Sequence, residues 1–122
     1  MKHLGRLFSF TNAFRGIGFA FCTQTNIKIH TLTAVLVSAA GFYFRISVTE
    51  WTMLIFCIAA VISAELLNTA IEIMADHFCP HYHTKVKRIK DCAAGAVLMT
   101  SIGSAAIGCL IFIPKLIALF NR

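Results

Sequence analysis

Glu65, Asn68, Glu72 and Asp76 are spaced i, i+3, i+7 and i+11. In an α-helix they fall along one stripe. The stripe continues an apolar run that begins near Trp51, and carboxylates in such a setting are costly unless something uses them. Four of the five acidic residues (Glu65, Glu72, Asp76 and Asp91) lie in this stretch or just beyond it. The fifth, Glu50, reads as an ordinary loop residue. A carboxylate in low dielectric holds a proton more readily than one in water, which suits a general base. Glu65, deepest in the run, is the candidate for that work; the competing reading is a hydrogen-bonded glutamate that joins helices. Glu72 and Asp76, nearer water, suit magnesium, which prefers carboxylate oxygens and binds substrate phosphates at the same time.

Lys85, Lys87, Arg88 and Lys90 follow closely and could hold those phosphates. The same charges would also serve as orientation signals for a membrane protein. Lys90 and Asp91 open the third apolar run, where the pair can face the stripe. His81, Tyr82 and His83 read as solvated hinge residues. The resulting layout has a base at membrane depth, metal ligands above it and cations above those. It fits phosphate transfer from a soluble nucleotide to a lipid hydroxyl. No Walker A loop and no Gly-rich kinase loop is present, so such an enzyme stands outside the usual kinase folds.

The elements that must position these residues are helices. Hydrophobic residues make up 58% of the 122, charged residues 13%, and mean hydropathy is +0.79. A soluble domain carries roughly 25% charged residues, and a chain this short could not bury several long apolar helices alone. The expected class is an all-α membrane protein of one domain, residues 1–122. An amphipathic surface helix over 1–22 carries Leu4, Leu7, Phe8, Phe10, Phe14 and Ile17 among Lys2, Arg6, Asn12 and Arg15. Membrane spans follow at 27–45, 51–76 and 90–114, each near the roughly 20 residues a bilayer needs.

Trp51 suits an interfacial anchor. Cys79-Pro80 should end the second span, because the residue before proline avoids the α region. Pro114 and Lys115 should end the third. Ser104 and Gly108 give a small-x-x-x-small spacing for close helix approach. The basic residues at 2, 6, 15, 28 and 85–90 place the N-terminus and the second hinge on the cytoplasmic side.

The net charge of +6 does not imply nucleic acid, since the basic residues sit at the edges of apolar runs. Anionic headgroups or phosphates are the expected partners. The five cysteines include no C-x-x-C pair, so neither a disulfide framework nor a zinc site is expected. No continuous apolar stretch precedes Arg15, so no cleavable signal is expected.

The run from Glu65 to Glu72 (E-L-L-N-T-A-I-E), then Asp76, Tyr82-His83 and Lys90-Asp91-Cys92-Ala93-Ala94-Gly95-Ala96-Val97, resembles the small prokaryotic diacylglycerol kinase and undecaprenol kinase family. Weaker similarity extends from about Phe10 to Pro114. The resemblance implies a homotrimer in the bacterial inner membrane. Each subunit would have a surface helix and three spans, with sites between subunits at the cytoplasmic interface. It implies ATP as co-substrate, Mg2+ as cofactor, and a lipid alcohol as acceptor, in phospholipid or cell-envelope lipid metabolism. By position, Glu65 looks like the catalytic base and Asn68 its supporter. Glu72 looks like a magnesium and nucleotide ligand, and Tyr82, His83, Lys90 and Asp91 resemble nucleotide contacts.

The departures lie near the N-terminus. A second metal-binding glutamate of the family is Gln24 here, whose amide oxygen can coordinate magnesium without adding charge. A tyrosine of the surface helix is Asn12, and the family's early basic contact is matched by Arg6. Asn26 and His30 match an N-x-x-x-H pattern of the undecaprenol-kinase-like branch, which favours undecaprenol over diacylglycerol. Two other functions fit the residues: a catalytically impaired relative that binds lipid, suggested by Gln24, and a small ion-path protein using the acidic stripe.

Overall fold

A computed structural model describes the backbone of residues 2–121 and the side chains of residues 9–121. The described residues form helices and short connections, with no strand. The helices are α1 (Lys2–Thr23), α2 (Thr25–Tyr43), α3 (Val48–Phe78) and α4 (Thr84–Phe120). The α3/α4 pair packs most extensively; α2 lies against α3, and α1 touches both α2 and α3.

Helices α3 and α4 are long and apolar enough to cross a membrane. Only 33% and 6% of their most apolar stretches are buried, so neither is the covered core helix of a soluble protein. Large apolar side chains point outward from α2, α3 and α4, among them Leu32, Leu36, Phe56, Met99 and Leu110. Helix α2 is 19 residues long, and Thr25, Asn26, Lys28 and His30 dilute its first turns.

The hinges are tighter than the sequence suggests. Residue Glu50 is not in a loop. It sits in the first turn of α3, where Ser47 N donates to Glu50 Oε2 at 2.7 Å and Glu50 N donates to Ser47 Oγ at 3.2 Å. This reciprocal capping satisfies two backbone donors that a helix start leaves open. The second hinge spans only 79–83. Lys85, Lys87, Arg88 and Lys90 therefore stand on the first turns of α4 rather than in a loop. His83 caps that helix by accepting from Lys85 N at 3.2 Å, and nothing after it interrupts helical geometry until Pro114. Pro114 does not end α4, which continues to Phe120. Proline in a helix costs one backbone hydrogen bond. Nearby, Lys115 Nζ pairs with Glu50 Oε1 at 2.7 Å and ties this end of α4 to α3. Cys79-Pro80 does end α3, with Cys79 as its C-cap.

A small core closes the end of the bundle remote from the stripe: Ile46, Leu54 and Ile111, with Val37, Phe44, Trp51 and Phe112 packed around them. Helix α2 terminates in a Schellman motif. Ile46 N donates to Gly41 O at 3.1 Å and Arg45 N to Phe42 O at 3.2 Å, with Arg45 in the left-handed region at φ 50°. The Trp51 ring lies over Gly41, where an added Cβ would stand 2.9 Å from its edge. A Gly41→Val change should therefore destabilise the protein by about 1–3 kcal/mol, the usual cost of overpacking. Thermal unfolding in detergent checks this; an unchanged midpoint would mean that Trp51 is not seated there.

Candidate functional site

Helix α3 carries the stripe from a buried to an exposed environment in four turns. Glu65 is 2% exposed, Asn68 is buried, Glu72 is half-buried and Asp76 is exposed. The gradient is one of packing: neighbouring helices cover α3 around Glu65 and Asn68 and leave its last turns open.

The buried end is incompletely satisfied. Glu65 Oε1 makes no hydrogen bond among the described residues. His30 Nε2 on α2 stands 3.2 Å away, outside hydrogen-bonding angles. Thr69 does not help, because its hydroxyl donates to the Glu65 backbone carbonyl at 2.8 Å. Ile27, fully buried and one turn before His30, lies on the same side of α2.

One turn on, Asn68 Nδ2 donates to Glu72 Oε1 at 3.0 Å, so the amide is held by the carboxylate. Its other end, Oδ1, is buried with no donor. Asn68 thus holds in place a half-buried carboxylate, the kind of oxygen donor that magnesium prefers. No three His, Cys, Asp or Glu side chains converge among the described residues. Magnesium does not require such a cluster, since it takes one or two carboxylates and completes its shell with water and phosphate. These residues fit that ion.

At the exposed end Lys90 Nζ meets Asp76 Oδ1 at 2.8 Å across the hinge. The stripe and the start of α4 thus face each other, as the sequence led us to expect for Lys90. Asp91 points elsewhere, pairing with Lys87 at 2.7 Å on the same helix. Lys85 and Arg88 are exposed and make no ion pair among the described residues. Tyr82 is exposed in the hinge, and His83 is occupied as the α4 cap. Gln24 is the N-cap of α2, half-buried, and its side chain makes no capping bond. Arg6 belongs to α1, and its side chain lies outside the described residues.

Sequence reasoning noted His30 only as part of a pattern. A histidine interrupting the start of an apolar run was the available signal; its meeting with Glu65 depends on how α2 and α3 pack. A groove of about 560 Å³ runs between α2, α3 and α4, lined mainly by apolar and small side chains, and His30 and Ser101 are among its few polar members.

The profile of the family described as prokaryotic diacylglycerol kinase matches residues 11–112. The chain is 42% identical over 116 residues to an undecaprenol kinase of Bacillus subtilis, covering 94% of each protein. It is 39% identical over 114 residues to a diacylglycerol kinase of Synechocystis, covering 93% of this chain and 65% of that protein.

Proposed function

We infer the function from one premise: this chain belongs to the prokaryotic diacylglycerol kinase family. It is a lipid kinase that phosphorylates the hydroxyl of undecaprenol or diacylglycerol. The observation that carries the site assignment is Glu65, a carboxylate sealed at depth in an apolar helix with one oxygen unbonded. A group so placed is costly to keep and has a use as a base.

In this reading Glu65 takes the proton of the lipid hydroxyl. The hydroxyl oxygen forms its bond to the γ-phosphorus of ATP as the bond to the bridging β–γ oxygen breaks, and ADP departs. Asn68 braces Glu72. Glu72 would hold magnesium, with Gln24 and Asp76 as further oxygen donors, and the ion when bound would supply charge compensation for the triphosphate. Lys90, anchored by Asp76, and Arg6, Tyr82, His83 and Asp91 bind the nucleotide. The domain comprises residues 1–122: α1 lies on the membrane surface and α2, α3 and α4 cross it, three spans in all. The outward apolar side chains of these helices support both contact with lipid and assembly as a homotrimer. The basic residues around the second hinge support a cytoplasmic N-terminus and a place in the bacterial inner membrane.

The greater identity is to the undecaprenol kinase, and we propose undecaprenol as the preferred acceptor. Purified protein in bilayers should phosphorylate undecaprenol with a higher kcat/KM than diacylglycerol when the two lipids are offered at equal mole fraction. The reverse order would assign diacylglycerol.

A further inference from the structure

We propose that His30 is the positioning residue of the catalytic carboxylate. The role rests on the kinase reading above. An ionised carboxylate buried without a partner is strongly disfavoured, and Glu65 Oε1 has no hydrogen bond. His30 Nε2 is the polar atom placed to supply one, 3.2 Å away on the neighbouring helix. The separation is already that of a hydrogen bond, so only a reorientation of the imidazole would be needed to complete one.

With Nε2–H donating to Oε1, that oxygen is occupied, and Oε2 is left to accept the proton of the lipid hydroxyl. His30 therefore selects the working oxygen and its direction. Its place in the fold suits this. The ring is 26% exposed while Glu65 is 2% exposed, so the imidazole lies between the sealed carboxylate and the surroundings. It also lines the apolar groove together with Val37, Val61, Ser101 and Ser104. A long lipid chain lying in that groove would bring its hydroxyl end to the His30–Glu65 pair.

The test compares two substitutions of similar size. The amide of His30→Gln keeps an N–H donor near the position of Nε2; His30→Leu keeps the bulk and removes the donor. We expect His30→Leu to lower kcat about 10- to 100-fold, the usual cost of misplacing a reacting group, with KM for lipid and for ATP within about 2-fold of wild type. We expect His30→Gln to retain kcat within about 5-fold. Because His30 acts through Glu65, adding His30→Leu to Glu65→Gln should cost less than about 2-fold more.

The role is overturned if His30→Leu keeps wild-type kcat or changes only the lipid KM. It is likewise overturned if the loss in His30→Gln equals that in His30→Leu, or if the His30 and Glu65 effects multiply. Equal thermal midpoints for the two variants exclude a folding defect; if His30→Leu does not fold, the kcat of His30→Gln decides, and a loss beyond 10-fold overturns the role. Wild-type protein that transfers no phosphate overturns the kinase reading itself, whereas active wild type with an indifferent His30→Leu overturns this role alone.

Discussion

Replacing Glu65 by glutamine should lower kcat by about 10²- to 10⁴-fold, the range contributed by a positioned general base. The amide matches the carboxylate in shape and volume, so the buried cavity at this point of α3 stays filled. It also needs less desolvation than a charge, so stability should hold or rise. KM for ATP and lipid should change little, because the proton is in motion only in the transition state. Steady-state kinetics in bilayers, together with thermal unfolding, separates this outcome from a structural role. A glutamate that merely joined helices would give a variant with near wild-type kcat and an altered midpoint.

Glu72→Gln should act differently. Its amide oxygen can still accept from Asn68 Nδ2, the contact that spans 3.0 Å in the native protein. What disappears is one negative charge at the oxygen donor set. Interactions with a charged group contribute about 1.5–3 kcal/mol, and each 1.4 kcal/mol is about tenfold in an equilibrium constant. Half-saturating magnesium should therefore rise about 10- to 100-fold at fixed ATP, and high magnesium should restore much of the rate. A titration of activity against magnesium checks this. If Glu72→Gln and wild type share one titration curve, Glu72 does not hold the metal.

Much of the site was legible in the sequence because it is built within one helix. The i, i+3, i+7 spacing of Glu65, Asn68 and Glu72 depends only on helical periodicity, and the Asn68–Glu72 contact is an i, i+4 neighbour relation. The Asp76–Lys90 pair was also within reach, since a short hinge after Cys79-Pro80 must fold α4 back along α3. Contacts made by packing were not legible. Whether His30 meets Glu65 depends on the rotation of α2 against α3, which no spacing within one helix specifies. Both ends of α3 and of α4 were read too short for specific reasons. The Ser47-x-x-Glu50 capping box moves Glu50 out of the loop. The His83 cap draws four basic residues into α4. Pro114 is tolerated within a helix that Lys115 also ties to Glu50. The His83 cap thereby sets the basic residues of α4 on a fixed helical face rather than in a freely adapting loop.

If this stripe transfers phosphate to a lipid hydroxyl, the label of the nucleotide must end in the lipid. The most direct measurement incubates wild-type protein in bilayers with magnesium, γ-labelled ATP and undecaprenol, then identifies the labelled organic-phase product by mass. The expected result is label in undecaprenyl monophosphate and one ADP formed per lipid phosphorylated. Label that remains in ATP, or appears as inorganic phosphate with no lipid product, would contradict it.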